Sequence, residues 1–212
     1  MDNQSYADKY YEKFSKAEGN QHIASLFALK KIIDLVKFNN PKKILEVGLG
    51  IGSISYSVVE YLNDNKLKFL YDGTEKNEFC LQQLPLNLGN VYNQINVFPD
   101  LEYINKQNVK YDFVIIDGSD DSIDMIKDII SDHGVIFIEG DRAVQLEKII
   151  SLFPNFKYVH VISKYKDPNY GPFDSDSWSG GGKLIYINPT LKQKINYYYE
   201  KIRTYYIYKF IR

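Results

Sequence analysis

The sequence predicts an α/β fold: a mostly parallel, doubly wound sheet with helices on both faces. Three observations carry the prediction. Short apolar runs alternate with helical patterns from Pro41 to about residue 163. One of them, Tyr111 to Ile116, is apolar at nearly every position, as in a central strand covered on both sides. The stretch Ile44-Leu45-Glu46-Val47-Gly48-Leu49-Gly50-Ile51-Gly52 reads as a strand, a tight turn and a helix N-terminus. With 212 residues, the chain is long enough for one domain with a sizeable core and some elaborations.

The elements follow in order. Tyr6, Tyr10, Tyr11 and Phe14 recur at helical spacing over residues 4–17, and Gly19 ends that pattern. Residues 21–37 form an amphipathic pattern through Ile23, Phe27, Leu29, Ile32, Ile33 and Val36, stopped by Pro41. The first strand is the run before Gly48. The second is Leu67 to Tyr71, leading into Asp72-Gly73-Thr74-Glu75. The third is Ile95 to Phe98, followed by Pro99-Asp100. The fourth ends in Asp117-Gly118-Ser119-Asp120, and the fifth, Gly134 to Ile138, in Glu139-Gly140-Asp141-Arg142. Helical connectors fall near 53–63, 76–84, 122–131 and 142–153. Lys157 to Ser163 and Lys183 to Asn188 are further strands. Strand ends of an open α/β sheet form its ligand-binding rim, so several acids converge on one edge.

The glycine turn decides among nucleotide ligands. Glycine leaves the backbone bare for close approach, and a helix N-terminus offers free N–H groups and the positive end of its dipole. A dinucleotide fingerprint needs G-x-G-x-x-G, and its third position falls on Ser53. Instead Glu46, Gly48, Gly50 and Gly52 make E-x-G-x-G-x-G, which resembles the first motif of class I S-adenosylmethionine-dependent methyltransferases. The resemblance covers roughly residues 20–190. It implies a Rossmann-like sheet of seven strands, with strand seven antiparallel between five and six. It implies that Glu46, Gly48, Gly50 and Gly52 form the cofactor loop and that Glu75 holds the ribose hydroxyls, with Asp72 as the alternative. It further implies that Asp100 lies near the adenine and Asp117 beside the cofactor and the reaction centre. The N-terminal helices, 1–37, would form part of the acceptor site within a domain spanning 1–190.

Methyl transfer from a sulfonium is an in-line displacement, so the protein must align the acceptor and take a proton from a hydroxyl. Three routes are open. Asp117, Glu139 and Asp141 hold Mg²⁺ or another divalent cation that acidifies the acceptor; a single carboxylate, Asp117, acts as base; or positioning suffices. "IDGSDDS" resembles the "IDG-x-H" segment of several small-molecule O-methyltransferases, with Asp120 where they carry histidine. His22 is a further base candidate. The fourth strand is not followed by Asn/Asp-Pro-Pro-Tyr/Phe, the segment of many methyltransferases acting on amino groups. A hydroxyl of a small molecule or glycan is therefore the expected acceptor. The rival classes are a nicotinamide-dependent oxidoreductase, against which the Ser53 mismatch counts, and a non-catalytic domain kept for binding or assembly.

A net charge of −1 gives no reason to expect a nucleic-acid partner. The single Cys80 excludes an intrachain disulfide and suits a reducing cytoplasm. No run approaches a membrane span, and the N-terminus lacks a signal-peptide pattern. The expectation is a cytoplasmic protein. Two segments look like additions. Residues 164–182 hold Tyr165, Tyr170, Trp178 and four glycines, and would cap the acceptor pocket or pack on the sheet rim. Residues 191–212 are a basic, aromatic helix with six Lys or Arg against Glu200. One reading packs it on the domain or on a second subunit, as in a homodimer. The other lays it on an anionic membrane surface.

Overall fold

A computed structural model of the chain describes residues 3–165 and 180–211. Trp178 and most of the loop singled out around it lie outside the described residues. Seven strands form one sheet: β1 Lys43–Val47, β2 Leu70–Thr74, β3 Ile95–Phe98, β4 Tyr111–Ile116, β5 Ile130–Glu139, β6 Phe156–Ile162 and β7 Gly181–Ile187. Their order across the sheet is β3-β2-β1-β4-β5-β7-β6. The first five are parallel. β7 inserts antiparallel between β5 and β6, as the resemblance implies. The helices are α1 Asn3–Ser15, α2 Leu26–Asn39, α3 Ser53–Asp64, α4 Glu78–Leu88, α5 Leu101–Asn105, α6 Ile126–Ile129, α7 Ala143–Ser151 and α8 Leu191–Phe210.

The period-2 alternation of each strand divides the core into two layers. Ile44, Tyr71, Phe113, Ile115 and Phe137 point toward α1 to α4. Leu45, Val114, Ile116, Ile136 and Ile138 point the other way, toward α5, α6 and α7. Glu46 pleats with Ile44, so its carboxylate is driven into the first layer, where it is 1 % exposed.

Several boundaries differ from the sequence expectation, each for a local reason. The expected helix 21–37 starts only at Leu26. Ser25 stays extended and caps it, its Oγ accepting from the Ala28 N–H, while residues 20–22 form a separate 3₁₀ turn. The second strand slides into its acid. Asp72 is buried in β2 because the Tyr111 hydroxyl and the Asn96 amide both donate to it. α4 runs past the expected stop at 84 and through Pro85, with Leu84 and Leu88 buried on one side. β5 begins four residues before Gly134, because Ile130 already pairs with Tyr111.

Core and surface positions should separate cleanly in urea unfolding. Ile115→Ala, in the centre of β4 with no exposed surface, should cost about 2–5 kcal/mol. Leu86→Ala, 74 % exposed on α4, should change stability by less than about 0.5 kcal/mol.

Candidate active site

The ends of β1 and β4 meet at the point where the strand order reverses, and the turns leaving them part in opposite directions. The Val47 carbonyl accepts from the N–H groups of Asp117 (2.9 Å) and Gly118 (2.8 Å), while the Gly48 and Leu49 N–H groups donate to the Thr74 carbonyl. Side chains are excluded there. A Cβ on Gly48, whose φ is +88°, would lie 2.6 Å from the Gly118 Cα. Gly50 is confined from above: its φ is +54°, and a Cβ would lie 2.5 Å from the His22 carbonyl oxygen. The segment before α2 therefore crosses directly over the glycine turn.

Above this junction lies a cleft of about 410 Å³, lined on its floor by Gly48 and Gly50 and on its walls by Glu75, Asp117, Asp120, Glu139 and Arg142. Glu75 stands at the end of β2. Its Oε2 accepts from the Gly50 N–H (2.7 Å), and its Oε1 from the N–H groups of Lys76 and Asn77. Oε2, with one bond, keeps a second lone pair for a ligand, while Oε1 already accepts two. Beneath the turn, the Tyr71 hydroxyl donates to Glu46 Oε2 at 2.5 Å, while the buried Oε1 has no hydrogen-bond partner among the described residues.

The carboxylates outweigh the cations here. Burial pushes the Glu46 carboxyl well above the usual range; the Tyr71 hydrogen bond opposes this, and Asp117 and Glu75 add to it. Burial, and then the charge of Glu139, push Asp117 up to about 7 against the pull of Arg142. Arg142 is the cation of the site. Its Nη2 donates to the Asp117 carbonyl (2.6 Å) and lies 3.4 Å from Asp117 Oδ1, and its Nε donates to the Glu139 carbonyl (3.1 Å). The guanidinium thereby straps the end of β4 to the end of β5.

The other expected residues land as follows. His22 is exposed at the cleft rim, on the 3₁₀ turn rather than at a helix start. Gly52 is the N-cap of α3. Asp100 caps α5 by accepting from the Tyr103 N–H; beside Pro99 the acid lining the cleft is Asp120, held by the N–H groups of Leu101 and Ser122. Asp72 is enclosed between Tyr111 and Asn96 and does not line the cleft.

The expected metal triad does not fit a divalent ion. Arg142 already lies against Asp117. Glu139 accepts from the Ser25 hydroxyl (3.1 Å), and the Asp141 side chain, 79 % exposed, turns to Lys183 Nζ (3.2 Å). Among the described residues no cluster of three or more His, Cys, Asp or Glu is arranged to hold a metal ion.

Sequence reasoning missed Ser25, Thr74 and Gln145. The Gln145 amide donates to the Gly118 carbonyl, and Thr74 Oγ1 accepts from the Gly48 N–H. None stands in a motif; Ser25 alone carries a local signal, as a cap before an apolar run. A second cavity, of about 1000 Å³, opens between α2 and α8 and is lined by Ser25, Phe27, Lys31, Tyr165, Glu200 and Arg203. The Ser25–Glu139 hydrogen bond forms the wall between it and the cleft.

This architecture recurs in solved structures of low sequence identity. An O-methyltransferase from Bacillus cereus in complex with SAH superposes with a TM-score of 0.62 at 13 % identity, over 87 % of this chain and 91 % of that one. The O-methyltransferase TomG from Streptomyces achromogenes, in complex with SAM, gives 0.56 at 11 % identity, over 88 % and 90 %. A precorrin-6y C5,15-methyltransferase from Geobacter metallireducens gives 0.57 at 14 % identity, over 81 % and 93 %. The chain has the class I methyltransferase fold. Neither a protein-family model nor a curated protein sequence matches it.

The raised Asp117 value sets a pH dependence of unusual sign for a carboxylate. The folded value, about 7, lies above the unfolded value of 3.8. The fold therefore holds the proton more tightly than the unfolded chain does. The stability this contributes is complete below the unfolded value and is lost as pH rises through the folded one. Thermal melts of Asp117→Asn should be flatter than those of the parent across that window, and the variant should melt higher than the parent above it.

Proposed function

We propose that the protein transfers a methyl group from S-adenosylmethionine to a hydroxyl of a small molecule or glycan. The observation that carries the reading is the cleft itself: a bare glycine backbone, Glu75 at the ribose position and an excess of buried carboxylate. The cofactor bears a sulfonium and an ammonium against one carboxylate, so its net positive charge suits a site where Asp117 and Glu75 add to the raised proton affinity of buried Glu46. Glu46 Oε1, buried beneath the turn without a partner among the described residues, adds its charge to the field such a cation would meet.

Bound there, S-adenosylmethionine supplies the methyl group on a good leaving group. The chain's residues do the rest. Gly48 and Gly50 let the ligand lie against the backbone, Gly52 packs on Leu84 and Leu88 as the cap of α3, and Glu75 takes the ribose. Pro99 and Asp120 flank the adenine end, with Asp100 beside them as the cap of α5. Asp117, near neutrality in its proton affinity, is placed to accept the acceptor's proton, with Arg142 holding its orientation. His22 is the second base candidate on the rim. Residues 1–37 contribute to the acceptor site through the α2 wall of the larger cavity, which the Ser25–Glu139 hydrogen bond separates from the cleft. The setting proposed is the cytoplasm, where the single thiol, Cys80, stays reduced.

Calorimetric titration tests the reading directly. S-adenosylmethionine should bind, and NAD(H) should not. Gly50→Asp should abolish binding, because the new side chain meets the His22 carbonyl. Glu75→Ala should weaken it by about ten- to a hundredfold through the loss of charge-assisted hydrogen bonds. Turnover on a panel of hydroxylated acceptors should survive a chelator, and a loss of activity restored by Mg²⁺ would return Asp117, Glu139 and Asp141 to consideration as ligands. Absence of S-adenosylmethionine binding by the parent protein would overturn the proposal.

A further inference from the structure

α8 is an amphipathic helix mounted the wrong way round. Its inward face is polar. Gln193 and Glu200 are buried against the domain, with Ile207 the one fully buried apolar residue of the helix. It is fastened by hydrogen bonds: Gln193 Nε2 to the His133 carbonyl, Lys31 Nζ to Glu200 Oε1, Arg203 to the Ile162 carbonyl and Thr204 to the His160 carbonyl. Its outward face is apolar. At 100° per residue, Leu191, Ile195, Tyr198, Ile202, Tyr205 and Tyr206 fall in one stripe about 100° wide that runs along a helix about 30 Å long. Leu191 is 76 % exposed, Ile195 63 % and Ile202 69 %. No helix among the described residues is long and apolar enough to cross a membrane.

The charges identify what covers this stripe. Lys194 and Lys201 border it on one side, Lys192 and Arg203 on the other, and Lys209 lies near its far end; the only acid of the helix, Glu200, is turned inward. Beyond the Lys192 border the cavity wall carries Lys37 and Lys164 with Asp34, while its Lys30 is paired with Asp8. A second copy of the helix would meet these borders cation against cation in either orientation. An anionic bilayer surface would not. Residues 191–212 carry six Lys or Arg and one Glu, net +5, within a chain of net −1, so the remainder is −6. That asymmetry turns the helix toward a negative surface and the body of the domain away from it. Tyrosine suits the headgroup layer, where its ring is buried and its hydroxyl stays hydrated.

We infer that α8 is a membrane-surface anchor that lies flat on an anionic lipid leaflet, with its isoleucines and tyrosines inserted among the headgroups. The inference stands on α8 alone and does not depend on the reaction proposed above.

Vesicle co-sedimentation tests it with the full chain. Phosphatidylcholine vesicles containing phosphatidylglycerol should bring the protein down, those of phosphatidylcholine alone should do so far less, and added salt should release it. Ile202→Glu should weaken binding by at least about tenfold, and Lys194→Gln or Lys201→Gln by about fivefold each. All three side chains are exposed, so thermal melts should be unchanged, and Leu86→Glu on the opposite side of the molecule should bind as the parent does. Failure to bind either vesicle overturns the inference. Equal binding to both overturns its charge argument, and a solution dimer dissociated by Ile202→Glu assigns the stripe to a second copy.

Discussion

The whole site rests on the approach of two backbones, at Gly48 and Gly118. A methyl group at either position would drive the ends of β1 and β4 apart. The Val47 carbonyl could not then receive both the Asp117 and Gly118 N–H groups, and Asp117 would leave the floor of the cleft. Everything above depends on that contact. The turn through Gly50 takes its shape from it, Glu75 finds the Gly50 N–H because of it, and the segment bearing His22 closes over the result.

Charge is arranged around this junction with a deliberate imbalance. A carboxylate buried in a hydrophobic layer is costly unless it is paired or protonated. Among the described residues Glu46 accepts one hydrogen bond, from Tyr71, and Arg142, beside Asp117, also donates to two backbone carbonyls. The cleft is thus electrostatically incomplete as it stands. Arg142 offsets part of the deficit while serving as a strap, and the acids at the end of β5 are held by Ser25 and Lys183 and do not gather around an ion.

Much of this was legible in the sequence. The strands were legible because period-2 runs and near-continuous apolar runs mark central strands, and the glycine turn because its spacing has few uses. What escaped depended on contacts between distant residues. Asp100 and Asp120 sit near each other at the rim, and which one faces the cleft is decided by the N–H of Leu101, which Asp120 takes while Asp100 caps its own helix. Arg142 could be read as a partner for neighbouring acids, yet its main partner is Asp117, across the strand ends. The start of α2 was misplaced because Ile23 continues the apolar spacing, although Ser25 carried the better signal. The inversion of α8 was invisible, since a helical stripe in a sequence does not say which side meets the protein.

The insertion of β7 between β5 and β6 also governs the order in which the molecule can be assembled during synthesis. The five parallel strands can pair as they emerge, and their sheet then ends in an open edge at β5. β6 comes next but bonds only to β7, so it has no place in the sheet until β7 has been made. Lys31, in α2, must wait longer still for Glu200, 169 residues downstream. A nascent chain therefore carries an unfinished edge and an unpaired buried lysine until its final helix is available. This is the stretch of its life in which it is most exposed to strand-to-strand aggregation.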